Sequence, residues 1–267
     1  MAVKLRTVTL SHGTRWVRQG FRVFLRQPLA FAALYALTSF ILLVVGNLPY
    51  VGPVIALALA PVATLAFMFA SQEALNGRPA HPGLLLLPLK RDPPRQVLLQ
   101  LGGAYAVCMI LASLIAQGID GRLIGALDAV ARGDAEALRD AGFAQSAALF
   151  GGLLLAVALV FWHAPALVYW GQLGWAKAVF FSAVAIWRAL GAFVVYGLAW
   201  FAVMVLSLMV VGGVFAMLGE PQLAALAALP LALMTMTVVC ASFYFTFIDS
   251  FEITREEPPI TETPDGT

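Results

Sequence analysis

The chain has 267 residues, of which 61% are hydrophobic and only 11% charged, with a formal net charge of +2. Soluble domains carry about a quarter charged residues, so this composition excludes a water-soluble globular domain and makes lipid the natural solvent. Two cysteines, Cys108 and Cys240, lie inside apolar runs and imply no disulfide framework.

No short apolar core ending in a small-residue cleavage site opens the sequence, so the first apolar run is expected to stay as a membrane anchor. Ahead of that run, residues 14–28 read TRWVRQGFRVFLRQP. Arg15, Arg18, Arg22 and Arg26 recur at helical spacing and share one face. Val17, Phe21 and Phe24 share another, with Trp16, Val23 and Leu25 beside them. A basic helix with an aromatic, apolar side suits the membrane–water boundary, where its guanidiniums meet anionic lipid headgroups.

Crossing about 30 Å of hydrocarbon takes roughly 20 helical residues. Six runs are long enough: residues 29–48, 54–75, 96–116, 144–163, 189–218 and 222–250. They are continuous, whereas barrel strands alternate, so the expected fold is an all-α polytopic membrane domain over residues 1–250. Asn47–Pro53 and Gly219–Pro221 supply tight turns. Residues 76–95 hold five prolines around Leu84–Leu87 and are too short and broken to span. They read as a segment lying at the interface, with a shallow re-entrant loop as the alternative. Residues 118–142 mix apolar residues at near-helical spacing with five carboxylates, which predicts one or two short helices on the opposite surface. Gly174–Arg188 (GWAKAVFFSAVAIWR) reads as a second interfacial helix. Pro165 is expected to end the fourth span, with Trp162 as an interfacial anchor. Residues 251–267, rich in Glu and Pro, are expected to be disordered. The two interfacial helices, each leading into a spanning hairpin whose second arm holds a proline (Pro61, Pro230), suggest a parallel internal repeat.

Of the 16 Lys and Arg residues, 13 fall on the side of the termini, while Arg122, Arg132 and Arg139 fall on the other. The positive-inside rule therefore places both termini in the cytoplasm. Ionisable residues at membrane depth commonly mark ion paths. Here Glu73, His163 and Asp249 sit only at the cytoplasmic ends of the second, fourth and sixth runs. They form either a polar site at the mouth of a cavity or three separate groups at the water boundary, and the second reading explains them with fewer assumptions. No metal-ligand spacing, nucleophile elbow or phosphate loop is present, so no cofactor, metal or catalytic residue is expected. Aromatics behind the arginine stripe favour phospholipid over nucleic acid as its partner.

Trp16, Phe21, Arg22, Phe24, Arg26 and Pro28 form a W-x4-F-R-x-F-x-R-x-P pattern. Together with Pro61, Phe67–Ala70 and Gly77, Trp162–Pro165, and Lys177–Ser182, it resembles an uncharacterised family of beta-proteobacterial polytopic inner-membrane proteins. In outline the arrangement is also similar to membrane domains attached to glycerophosphodiester phosphodiesterases, without room for their catalytic domain. His163 and Ala70-Ser71-Gln72 depart from the family pattern, where an aromatic and a Cys-Arg pair are expected. The resemblance implies a six-helix inner-membrane protein and assigns no activity. The expected role is non-enzymatic: binding anionic lipid or a membrane-protein partner through the two interfacial helices. A small transporter or flippase-like protein for a hydrophobic or lipid-related molecule is the alternative.

Overall fold

The computed structural model describes residues 2–90, 92, 94–131 and 141–254. Strand β1 (Ala2–Leu5) leads into helix α1 (Ser11–Arg26), followed by α2 (Pro28–Gly46) and α3 (Gly52–Leu75). Two 3-10 turns, Pro82–Leu85 and Leu87–Leu89, precede α4 (Pro94–Ile119) and the short α5 (Arg122–Ala131). The chain then forms α6 (Ala141–Phe161), α7 (Ala164–Tyr169), α8 (Trp175–Arg188), α9 (Leu190–Met217), α10 (Pro221–Ser250) and strand β2 (Phe251–Thr254). Among the described residues, six helices are long and apolar enough to cross a membrane: α2, α3, α4, the α6–α7 stretch, α9 and α10.

The turns follow from local chemistry. Pro28, Pro53 and Pro221 stand in the first turns of their helices, where a missing N–H costs nothing. Gly219 takes a φ of +77° to turn α9 into α10. The fourth apolar helix ends at Trp162–Pro165, as its proline implies. α6 breaks at Trp162–His163, and Pro165 then opens α7, which carries the apolar stretch on to Tyr169. A proline that terminates one helix is well placed in the first turn of the next.

The packed core sits at the end of the bundle where both chain ends lie. α9 buries Phe193, Tyr196 and Trp200 near its start, and α10 buries Val238, Phe245 and Phe247 near its finish. In the far halves of these helices Leu206, Met209, Val210, Leu226 and Leu229 are exposed, as lipid-facing side chains are.

α1 does not lay its apolar side on lipid. Gly13, Trp16, Val17, Gly20, Val23 and Phe24 form one stripe at three- and four-residue spacing, and all six are buried. The helix packs against α9 and α10. A Cβ on Gly13 would lie 2.5 Å from the Ala192 carbonyl oxygen, and one on Gly20 would lie 2.7 Å from the Ser242 Cβ. These two glycines let α1 approach its neighbours closely. Burying side chains such as Trp16, Val23 and Phe24 stabilises the docked helix by roughly 1.5–3 kcal/mol each. α8 behaves differently. It buries Ala178, Ser182, Ala185 and Ile186 but exposes Trp175, Phe180 and Trp187, the last at 80%.

The proline-rich segment folds back beside α2 and α3. Leu85, Leu86 and Leu89 share an apolar crevice with Thr38, Ile41 and Val62, which are mid-helix positions of α2 and α3. This packing brings its backbone next to apolar side chains. It is tolerable in an apolar setting because the 3-10 turns pair Leu84 N–H with His81 O and Leu89 N–H with Leu86 O, while Pro82 and Pro88 have no N–H to satisfy.

Residues 251–254, the start of the tail expected to be disordered, form a strand. Phe251–Thr254 pairs antiparallel with Ala2–Leu5, with Val3 opposite Ile253 and Leu5 opposite Phe251. Phe251 is buried, and that burial together with the strand ladder holds the segment. Residues 255–267 lie outside the described residues. So do residues 132–140 of the loop on the opposite surface, of which α5 is the one helix described.

Candidate functional site

The candidate site is the face of the bundle that carries α1, α8, the proline-rich segment and the β1–β2 ribbon. Its frame is set by side-chain links between distant parts of the chain. Trp16 Nε1 donates to Asp249 Oδ2 at 3.0 Å. Ser71 Oγ donates to the Ala241 carbonyl at 2.7 Å, joining α3 to α10. Tyr196 and Ser242 hydroxyls lie 2.6 Å apart, joining α9 to α10. The Gln27 amide, at the α1–α2 corner, donates to Arg78 O and accepts from Ala80 N–H, both at 2.8 Å, and so fixes the start of the proline-rich segment.

On this frame Arg15, Arg18 and Arg22 are exposed along one side of α1, opposite the buried stripe. No carboxylate pairs with any of the three among the described residues. Arg26, also exposed, is drawn to the Ala74 carbonyl at 3.4 Å and partly closes the end of α3. Sequence periodicity therefore gives the arginine stripe correctly, and its rigid backing is the added fact.

Glu73, His163 and Asp249 each have separate surroundings. Glu73 is held by Arg78 as a two-point pair, with Nη2 to Oε1 at 2.9 Å and Nε to Oε2 as the second contact. Asp249 is occupied by Trp16. His163 is fully buried, ringed by Phe193, Phe247 and Phe251, with centroids 5.3–6.2 Å away. Neither of its ring nitrogens has a well-formed hydrogen bond. Its backbone N–H does, donating to Ser182 Oγ of α8 at 3.0 Å. No hydrogen bond or ion pair links any two of Glu73, His163 and Asp249, and His163 lies in an aromatic interior, away from the water boundary expected for it. Trp162 likewise sits inside the aromatic core, against Phe193, Tyr196 and Phe243, with its indole N–H on Thr246 Oγ1 at 3.0 Å. Among the described residues, no three His, Cys, Asp or Glu side chains are grouped as metal ligands would be.

On the opposite surface, Asp120 accepts from Arg122 Nε at 2.9 Å and from Ser146 Oγ at 2.6 Å. The Arg122 hydrogen bonds and then that of Ser146 hold its carboxyl well below the usual carboxylate range.

Comparison with known proteins gives the frame a relative. The chain is 33% identical to a probable inner membrane protein of Burkholderia thailandensis, over 98% of both chains. It belongs to that protein's family. With its six apolar helices, the chain is a multi-pass inner-membrane protein of that family. No family profile matches the sequence, and no solved structure matches it either. The match carries the inner-membrane part of the resemblance drawn from the sequence. The likeness to phosphodiesterase-attached membrane domains is no part of it.

Several of the family member's contacts on this face escape sequence reading. Gly13 and Gly20, Gln27, and the Trp16–Asp249 pair could have been flagged only by a helix whose apolar stripe contains glycines. A helix meant for lipid gains nothing from leaving its apolar side notched, whereas one meant for a neighbouring backbone does.

Proposed function

We propose that this protein is a non-enzymatic organiser of the inner membrane that binds anionic phospholipid, and through it or beside it a membrane-protein partner, with the face carrying α1 and α8. Both termini lie in the cytoplasm in this reading, following the 13-to-3 division of basic residues. One observation carries the proposal. Arg15, Arg18 and Arg22 project from a helix whose other side is locked into the core, with no carboxylate partner among the described residues. Each basic residue near an anionic surface contributes about 1 kcal/mol, so the three together favour the anionic leaflet by roughly 3 kcal/mol. Trp175, Phe180 and Trp187 on α8, beside Lys177 and Arg188, supply the aromatic part of such a contact.

A transporter or flippase-like reading rests on a crevice of about 170 Å³ among α3, α4, α6 and α10, beside Pro61, Thr64, Tyr105 and Phe243. That space is mostly apolar and smaller than the 300–1,000 Å³ usual for small-molecule sites, so lipid organisation is preferred. Purification from native membranes in a mild detergent, followed by lipid mass spectrometry, tests the choice. The expected result is enrichment of anionic over zwitterionic lipid that falls when Arg15, Arg18 and Arg22 are changed together to Gln. Solute flux in liposomes with no such enrichment overturns it.

A further inference from the structure

A second basic feature of this face is separate from the α1 stripe. The segment leading from β1 into α1 crosses the joint between α8 and α9 and leaves a trough there. At one end, a crevice of about 100 Å³ is bordered by Arg6, Thr7 and Arg188. At the other, a wider opening of about 470 Å³ is bordered by Thr9, Ser11 and again Arg188. Val8, Arg188 and Ala189 line both, so the two spaces adjoin.

The backbone fixes both arginines. Arg6 N–H donates to the Ser250 carbonyl at 2.9 Å, directly beyond the β1–β2 ladder, and Arg6 Nη1 reaches the Ile248 carbonyl at 3.4 Å. Among the described residues the rest of its guanidinium has no partner. Arg188 is the last residue of α8, followed by the buried Ala189. Of the nearby carboxylates, Asp249 accepts from Trp16, and Glu252 stands opposite Lys4 in the strand register. Among the described residues, neither Arg6 nor Arg188 forms an ion pair. The opening also meets the start of α1, whose His12 and Gly13 N–H groups bond back to the Thr9 and Leu10 carbonyls; with no acidic residue in its first turn, the positive end of its dipole adds to the same field. Leu10, 63% exposed, lines the wider end, and Trp187 and Leu190, which flank Arg188–Ala189 in sequence, are exposed as well.

Two guanidiniums on one crevice, with the exposed Leu10 at its wider end, are complementary to a phosphate attached to something apolar. We infer that this trough is a discrete binding site for the phosphate of one membrane phospholipid, held between Arg6 and Arg188, with its acyl portion leaving along Leu10. The inference rests on the proposal that this face meets anionic lipid. It goes further in naming a single seat distinct from the diffuse stripe, and in requiring a phosphate that is lipid-borne.

The test is native mass spectrometry of the full chain released from mixed micelles containing phosphatidylglycerol and phosphatidylcholine. Three variants are compared with the unaltered protein: R6Q with R188Q, R188Q alone, and R15Q with R18Q and R22Q. Arg188 lies exposed at a helix end, so R188Q serves if the double variant does not fold. The expected result is one tightly retained phosphatidylglycerol, weakened at least about tenfold by losing either trough arginine, since each charge-assisted contact is of that order. In the stripe variant that lipid stays bound while weaker, multiple adducts decline. Wild-type retention in R188Q and in the double variant overturns the site. Displacement of the lipid by millimolar inorganic phosphate overturns its assignment to a lipid. If the stripe variant leaves all adducts unchanged while R188Q loses the tight one, the stripe proposal fails and the trough stands.

Discussion

Trp16 and Asp249 are 233 residues apart in sequence, yet the indole N–H of one lies 3.0 Å from the carboxylate of the other. The contact ties the first helix of the chain to the end of the last. A partly buried carboxylate that loses its donor costs about 1–3 kcal/mol. Trp16→Phe keeps most of the apolar volume and removes that donor, so it should lower stability by that amount. Asp249→Asn keeps an acceptor oxygen and should cost less. Thermal unfolding in detergent, followed by tryptophan fluorescence and by circular dichroism, measures both. Equal stability of Trp16→Phe and the unaltered protein would mean that the pair is incidental.

The glycine stripe makes a sharper claim. Gly13→Leu and Gly20→Leu each place a side chain where only a backbone or a Cβ now fits, and should undock α1 from α9 and α10. Gly103→Ala meets nothing within 4 Å and should be silent. A cysteine at Val17, in a background lacking Cys108 and Cys240, reports the result: protected from a thiol reagent in the parent and in Gly103→Ala, labelled in the two leucine variants. Protection in all four refutes close docking.

His163 presents a polar ring to an aromatic interior that gives its nitrogens no good partner. Burying unsatisfied polar atoms is unfavourable, so His163→Phe should hold or raise the melting temperature. Substitution of Ser182 by Ala, which removes the acceptor of the His163 backbone N–H, should lower it by about 1 kcal/mol in stability terms. A large loss in His163→Phe would assign the imidazole a structural or binding role beyond filling space.

Asp120 gives the opposite surface a pH dependence. Its carboxyl pKa is depressed in the folded state, first by Arg122 and then by Ser146. The contribution is therefore complete above the ordinary carboxylate range and is lost as pH falls through that range toward the depressed folded value. Amide protection at the start of α6, taken as exchange relative to the intrinsic rate at each pH, should fall on acidification, and Asp120→Asn should remove that fall. An unchanged acid response in Asp120→Asn would place its origin elsewhere.

The orientation can be checked directly. Reporter fusions after Tyr50 and after Glu220 should be active outside the cytoplasm, and fusions near Thr254 inside it. The reverse pattern would overturn both the positive-inside assignment and the placement of the arginine stripe on the anionic inner leaflet.

The six spans were readable because long continuous apolar runs have few alternatives at this length. What α1 does with its apolar side was not, because lipid and a protein core accept the same Trp, Val and Phe. Gly13 and Gly20 at seven-residue spacing were the signal that separated the two. The proline-rich segment was ambiguous for a related reason: its leucines suit an interface or a crevice, and their nearness to Thr38 and Val62 comes only from the fold. Strands β1 and β2 are four residues each, too short for alternation to register. Arg188 was visible as a charge, but its nearness to Arg6 depends on a ribbon that joins the two ends of the chain.

That closure has a consequence for the order in which the protein is built. Every major surface that receives α1 belongs to α9 or α10, and the strand beside β1 is made after all of them. At about 5–20 residues per second, roughly 10–50 s of synthesis separate the appearance of Trp16 from that of Asp249. During that interval the apolar side of α1 lacks the α9 and α10 surfaces that cover it in the finished protein. The helix is thus made early and docked late, and the final turn of α10 is the latch on which its packing waits.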